Sequence, residues 1–553
     1  MRLFAGYLAA IILIVQAPQT QFTDITKSAG IQFTHNNGAA GKKYLPETLG
    51  SGVAFLDFNN DGLQDLLLVN GRDWSTSSAK KTTAHLYRNS GNRTFADVTA
   101  GSGLDVSMYG LGVAAADYDN DGNADLYITA IDGDRLLHNE GKGRFKDVTR
   151  SGGISNASFG TSPAWLDYDN DGLLDLFVAN YVQWSPETDI RCSLDGTTKS
   201  YCTPESYKGV SSKLYHNKGN GVFEDASKTA GILDPTAKSL GVSIIDFDLD
   251  GWADILVAND TQPNKLYHNL KNGSFREEGV RSGLAYNEDG VARGAMGVDW
   301  ADYDQTGLPS AAIGNFTGQM IGLYHNEGNG LFVDEAPRST VGRASLLSLA
   351  FGLFFFDYDL DGRPDLFVAN GHIEDQIEKI QPRVKYRQPP HLFHNLGGHR
   401  FEDTVAQVGS ALQRPVVARG TAYADIDNNG TPDLVMTTNG GPAYLYQNQY
   451  SGSNHVLRIR TIGTKANRDG IGARVRVHTS SGWQWQAVKS GSSYASQSEL
   501  PLTFGLGNAT SADTVEIYWP GGGKETFSNV AADQILTLKQ GEGIYAKSAL
   551  AKR

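Results

Sequence analysis

A helical period is absent along the whole of this 553-residue chain. That sets aside helical bundles and doubly wound α/β enzymes, both of which need amphipathic helices. Basic surplus is absent too: 48 Lys and Arg stand against 61 Asp and Glu, a net −13, which argues against nucleic acid as a partner. The apolar run at residues 3–15 is too short to span a bilayer comfortably and has the order of a secretory signal peptide, and no other segment is apolar enough to cross a membrane. Cysteine is limited to Cys192 and Cys202, both in "CSLDGTTKSYC". In an exported chain two such close cysteines read as one disulfide worth roughly 3 kcal/mol. No nucleophile elbow, phosphate loop, zinc motif or dinucleotide fingerprint occurs.

What is present in abundance is one acidic loop. "DFNNDGLQD" begins at Asp57, and related nonapeptides begin at Asp117, Asp167, Asp246, Asp302, Asp357 and Asp425. Each is preceded by a short apolar stretch opened by small residues and followed by a β-rich run such as "DLFVAN". A third element of the form "LYHN" and a fourth of the form Phe-x-Asp complete each unit. Four short strands repeated seven times predict an all-β, seven-bladed β-propeller over residues 21–450. The seventh unit lacks its fourth strand, while residues 21–31, "QFTDITKSAGI", match the fourth-strand text. The N-terminal strand is therefore expected to complete the last blade and close the ring.

The loop pattern D-x-[DN]-x-[DN]-G-x-x-D places oxygen ligands at positions 1, 3, 5 and 9, around a glycine that permits a sharp turn. Hard oxygen donors at this spacing suit Ca²⁺. An EF-hand is ruled out because position 12 is apolar and the flanks are strands. The expected ligands are Asp57, Asn59, Asp61 and Asp65; Asp117, Asp119, Asp121 and Asp125; Asp167, Asp169, Asp171 and Asp175; Asp246, Asp248, Asp250 and Asp254; Asp357, Asp359, Asp361 and Asp365; and Asp425, Asp427, Asn429 and Asp433. Turn chemistry alone explains one such loop, but it would not hold acids at the same odd positions in copy after copy. About six structural Ca²⁺ ions would offset nearly all of the net charge. The fifth loop, "DYDQTGLPS", carries Thr306 and Ser310 at ligand positions and is expected empty or weak.

These repeats resemble the FG-GAP/VCBS propeller class known from integrin α-subunits. Farther on, "NRDGIGARVRV" (467–477), "VKSGSSYASQSELPLTFGLG" (488–507) and "VEIYWPGG" (515–522) resemble the ASPIC/UnbV domain, which follows such propellers in the cartilage acidic protein family and its bacterial relatives. The resemblance implies an extracellular, calcium-binding protein. From its own pattern, residues 453–540 read as a compact β-sandwich, and 541–553 as a loose tail.

The segments between second and third strands are long in blades one, three and six, and all emerge opposite the acidic loops. They carry Trp74, Tyr181, Trp184, Tyr201, Tyr207 and Tyr386. Second strands end in Asn70, Asn180, Asn259, Asn315 and Asn370. These asparagines either cap strand ends or, with His372, line a ligand-binding mouth. His138, His216, His268, His325 and His394 share one repeat position and read as packing; His35 and His372 lie off the repeat. Two functions fit. One is a secreted (or periplasmic) module that binds an extracellular protein or glycan. The other is an extracellular enzyme, of polysaccharide lyase or cyclase type, acting at the propeller mouth.

Overall fold

The structure, a computed structural model, describes residues 20–75 and 81–553. The signal-peptide reading, at residues 1–20, falls almost wholly outside the described residues. Seven four-stranded antiparallel sheets follow in chain order, and the innermost strand of each packs against the next, the seventh (Ala418–Ala424) returning to the first (Val53–Leu56). Blade two shows the plan: Gly110–Ala116, Asp125–Ala130, Arg135–Asn139 and Phe145–Asp147. Its first two strands are buried at every position, as expected for strands packed between two neighbouring blades.

The outermost strand of blade seven is Phe22–Asp24, pairing antiparallel with Tyr444–Asn448, with Thr23 opposite Gln447. Phe22 is buried against Tyr358 and Leu412, so the closing strand adds core as well as backbone hydrogen bonds.

Two further four-stranded sheets form a C-terminal sandwich. One orders Leu502–Gly507, His455–Ile462, Gln534–Lys539 and Gly543–Ala549; the other orders Gly482–Ala487, Arg474–Thr479, Ser511–Tyr518 and Lys524–Ala531. Residues 541–553 are therefore not a loose tail. Gly543–Ala549 continues a sheet, Leu550 packs on Leu360, Tyr450 and Val456, and Ala551 N–H donates to the Asn428 carbonyl at 2.8 Å. Polar composition hid this strand because its side chains are largely exposed and its hydrogen bonds are to backbone.

The sandwich sits directly on the acidic-loop face. Arg460 donates to the Gly62 carbonyl (2.6 Å), Arg468 N–H to Asn120 Oδ1 (2.7 Å), Gly521 N–H to Asn170 Oδ1 (3.1 Å) and Gly507 N–H to the Leu360 carbonyl (3.0 Å). One apolar core runs unbroken from Tyr118, Trp165 and Leu176 of blades two and three to Val475, Phe504 and Leu536 of the sandwich.

Between two sandwich strands, residues 490–499 enter the propeller's central channel. Gln497 pairs with the innermost strand of blade one: its N–H donates to the Val53 carbonyl (2.9 Å) and its carbonyl accepts from Phe55 N–H (3.1 Å). Its side-chain amide grips blade two through both the N–H and the carbonyl of Ala115, 2.9 and 2.8 Å. Ala495 N–H donates to Ser162 Oγ of blade three, Ser493 exchanges backbone hydrogen bonds with Val298 of blade five, Ser493 Oγ accepts from Leu353 N–H of blade six, and Ser498 Oγ from Tyr423 N–H of blade seven. Fit is tight: a Cβ on Gly52 would lie 1.8 Å from the Ala495 carbonyl oxygen, so only glycine serves there. Small polar residues dominate "SGSSYASQSE" because they are what a channel lined by backbone groups requires.

Candidate metal loops and the two faces

The acidic loops share one geometry. Position 4 takes a left-handed conformation (Asn60 φ 59°, Asn120 φ 62°) and the position 6 glycine follows with φ of 85° at Gly62 and 94° at Gly122. The position 1 carboxylate accepts from the N–H groups of positions 5 and 6, as Asp117 does from Asp121 (2.9 Å) and Gly122 (2.7 Å). The position 9 carboxylate accepts from the third-strand asparagine N–H, as Asp125 does from Asn139 (2.7 Å). In the fifth loop the Ser310 hydroxyl takes over that hydrogen bond, from Asn326 N–H at 3.0 Å. Position 9 is thus a structural latch as well as a candidate ligand.

The asparagine that ends each "LYHN" element has a role that the sequence pattern does not reveal by itself. Its side-chain N–H₂ donates across the blade boundary to the position 2 carbonyl of the preceding loop. Asn139 reaches Phe58 (2.9 Å), Asn217 Tyr118 (2.9 Å), Asn269 Tyr168 (2.7 Å), Asn326 Phe247 (3.1 Å), Asn395 Tyr303 (2.7 Å) and Asn448 Tyr358 (2.8 Å), and Asn89 joins blade one to Ile426 of blade seven (2.7 Å). That asparagine stays the same in all seven units while the two residues before it change, and this was the available signal.

Burial and mutual repulsion push the loop carboxyls upward. Asp65 is raised to about 8, Asp125 to about 9, and Asp117, Asp167, Asp175 and Asp365 to about 7, in each case first by desolvation. Asp169 Oδ1, Asp359 Oδ1 and Asp427 Oδ1 are buried without a hydrogen-bond partner. Buried, mutually repelling carboxylates with orphaned oxygens fit a bound divalent cation. The repeat histidines are not mere packing. His138 Nδ1 lies 3.1 Å from Asp125, His216 3.0 Å from Asp175 and His394 3.1 Å from Asp365, while His268 Nε2 lies 3.4 Å from Asp248. Desolvation opposes protonation of His394, but its bond to Asp365 and the neighbouring aspartates prevail and hold it up at about 9.

On the opposite face the expected polar ring is not a ring of ligand groups. Asn70, Asn180, Asn259, Asn315 and Asn370 are all nearly fully buried and bond to neighbouring backbone: Asn70 Oδ1 accepts from Asn36 N–H, and Asn180, Asn259, Asn315 and Asn370 donate to the carbonyls of Ser211, Pro263, Met320 and Pro389. His372 is buried, accepts from Glu374 N–H (3.0 Å) and is depressed to about 4 by desolvation and Arg419. Tyr181, also buried, donates to Asp260 Oδ2 (2.6 Å). Trp74 stacks on Tyr109 at 4.3 Å and meets Trp184 edge-on at 5.2 Å, with Tyr44 against both. Tyr201 donates to the buried Glu47. The blade-one and blade-three loops are thus held to each other and to residues 36–49 as an aromatic lid, which the blade-six loop joins where Glu374 Oε2 accepts from Tyr201 N–H at 3.3 Å. Cys192 and Cys202 are disulfide-bonded within the blade-three loop.

Seven sheets, each with an acidic loop between its first two strands, carrying a sandwich on the loop face, define the class: family models for the FG-GAP-like repeat match residues 57–128, 125–178, 206–257 and 246–313, and the ASPIC and UnbV model matches 463–544. The chain is an FG-GAP-repeat β-propeller with an ASPIC/UnbV domain. Among particular proteins it is similar to cartilage acidic protein 1 of Mus musculus, 24% identical over 334 residues (58% of this chain, 47% of that protein), and of Homo sapiens, 24% identical over 327 residues (58% and 39%). The chain spans less than half the length of these two relatives. A solved Agrocybe aegerita lectin, described for its recognition of non-reducing terminal N-acetylglucosamine, aligns at 16% identity over 64% of this chain and 79% of its own, with a TM-score of 0.37. Among the described residues no helix is long and apolar enough to cross a membrane.

Proposed function

We propose that the protein is an extracellular, Ca²⁺-stabilised binding module for a protein or glycan partner, presenting the face opposite its acidic loops. One observation carries the choice of face: the sandwich covers the acidic-loop side and its segment 490–499 fills the channel, so neither is open to a large ligand. The disulfide in an otherwise cysteine-free chain and the likeness to cartilage acidic protein support an oxidising, extracellular setting. On the free face a groove of about 580 Å³ runs beside Phe159, Val182, Trp184, Ile190 and Tyr207, with Gln183, Ser185 and Lys208 at its rim. Filling of the channel speaks against the enzyme reading at an open propeller mouth.

Calcium is tested by thermal melts. At the roughly 10⁻⁴–10⁻³ M affinity of extracellular modules, millimolar Ca²⁺ should add on the order of 1 kcal/mol per site. Several degrees of stabilisation over the EDTA-treated protein is expected, and coincident melts would refute it. Binding is tested on extracellular-protein and glycan arrays with the Trp184→Ala variant as control: a hit lost in the variant supports this face, and a hit that the variant retains moves the site elsewhere.

A further inference from the structure

The fifth loop, read as degenerate, gains what the others lack. Asp304 (position 3) keeps its carboxylate, His325 comes from the third strand of the same blade, and His399 reaches over from the last turn of blade six. One ligand atom from each lies within 4.8 Å of the other two. Asp304 Oδ2 is 2.8 Å from His325 Nδ1 and 3.8 Å from His399 Nε2. Three donors on a zinc ion at 2.0–2.1 Å would stand about 3.3 Å apart in a tetrahedron.

Two independent observations point to a ligand. The Asp304 side chain is 1% exposed, and its Oδ2 and the buried His325 Nδ1, 2.8 Å apart, have no hydrogen-bond partner. Such a close pair without a hydrogen bond is costly unless a ligand beside it bridges both atoms. The second is His399 itself, which holds φ at 59°. The corresponding turn residue is glycine in blades two to five (Gly143, Gly221, Gly273 and Gly330, φ 72–78°), the residue that backbone geometry favours. In blade one it is Arg93, also left-handed, and Arg93 too reaches the preceding loop, meeting Asp427 at 2.6 Å. A bulky residue here thus serves the neighbouring loop.

The outer contacts complete the arrangement. His399 Nδ1 lies 3.1 Å from Glu335 Oε2, which also accepts from the Tyr303 hydroxyl at 2.9 Å, and His325 Nε2 faces Glu327 at 3.9 Å. A carboxylate behind the far ring nitrogen is the usual means of orienting a metal-binding imidazole.

We infer that the fifth loop has exchanged its calcium ligands for a zinc-class site, with Asp304, His325 and His399 binding one Zn²⁺ and leaving a position for water. Two imidazoles and one carboxylate select Zn²⁺ or a similar transition metal over Ca²⁺, which takes oxygen donors.

The test uses the full chain, stripped of metal by chelation and then held in excess Ca²⁺ so that the acidic loops are satisfied whatever their affinity. Zn²⁺ is titrated by calorimetry, and Co²⁺ serves as a visible-absorption probe of imidazole ligation. One saturable equivalent is expected, with tetrahedral Co²⁺ bands. His399→Gly, which suits the left-handed turn and should fold at least as well, is expected to lose that equivalent while keeping its Ca²⁺-dependent melt. Glu335→Gln should weaken Zn²⁺ by about 10–100-fold. No saturable Zn²⁺ in excess Ca²⁺, or an equivalent that His399→Gly retains, would overturn the assignment. Because Ca²⁺ is supplied throughout, that failure is separable from failure of the calcium reading.

Discussion

At the acidic-loop end, the propeller channel is sealed by a foreign segment and ion pairs. Arg458, fully buried, holds Glu499 with both guanidinium nitrogens at 2.8 Å and lies 3.2 Å from Asp425. At the other end the seal is the propeller's own loops, and its buried cation is treated differently. Arg419 stacks on Phe351 at 3.9 Å and donates to the carbonyls of Thr48 (2.6 Å), Ala418 (2.6 Å) and Gly371 (3.0 Å), with desolvation pulling its pKa down to about 10. One end offsets the cost of burying charge with opposite charge, the other with backbone dipoles and an aromatic face. The first arrangement depends on another domain; the second is complete within the ring.

The largest effect should come from Arg458→Met, which strands Asp425 and Glu499 together in the interior. Breaking such a buried network costs about 3–5 kcal/mol, and hydrogen exchange should rise in Val53–Leu56 and Ala418–Ala424, the strands beside the segment. Unchanged exchange there would mean that the segment is held by backbone bonds alone. Acid should weaken the other end. His35 and His372 sit near Arg419 and are depressed to about 3 and about 4, first by burial. Below the ordinary histidine pKa the unfolded chain takes up protons at these two groups that the folded one refuses, so their contribution to stability falls as pH drops from about 6.5 towards 4, by about 1.4 kcal/mol per pH unit for each group, while the raised loop carboxyls, when metal-free, contribute with the opposite sign. A His372→Gln variant, able to accept from Glu374 N–H, should show a shallower acid slope; the same slope would remove His372 from the lid's stability. The smallest effect is expected from ending the chain at Gly541. That removes the edge strand Gly543–Ala549 and the Leu550 contact, and should lower the melting temperature modestly while leaving the lid's exchange untouched.

The ring was legible because each blade repeats its side chains at a fixed spacing, so one strand-loop-strand reading served seven times, and Phe22 and Ile25 declared the missing strand. The acidic loops were legible for the same reason. What escaped lies between units. Asn139 and its six counterparts act on a neighbouring blade, Gln497 acts on strands hundreds of residues away, and His399 belongs by sequence to blade six but by position to the loop of blade five. Of the two readings open for the strand-end asparagines, capping is the one their backbone bonds fit, but an amide that caps backbone and one that greets a ligand look alike until burial is known.

The order of synthesis gives the channel segment a further consequence. A growing chain makes its first sheet partner at Phe22–Asp24, yet that strand waits for Tyr444–Asn448 to emerge, and the channel waits longer still, for residues 490–499. Every blade boundary made before then borders an unfinished ring with an open axis. A product released before Asn448 lacks ring closure, and one released before Glu499 lacks the channel segment as well. Contacts of such long sequence separation also make folding slow. Only a chain that contains both Phe22–Asp24 and residues 490–499 can close the ring and hide its innermost strands.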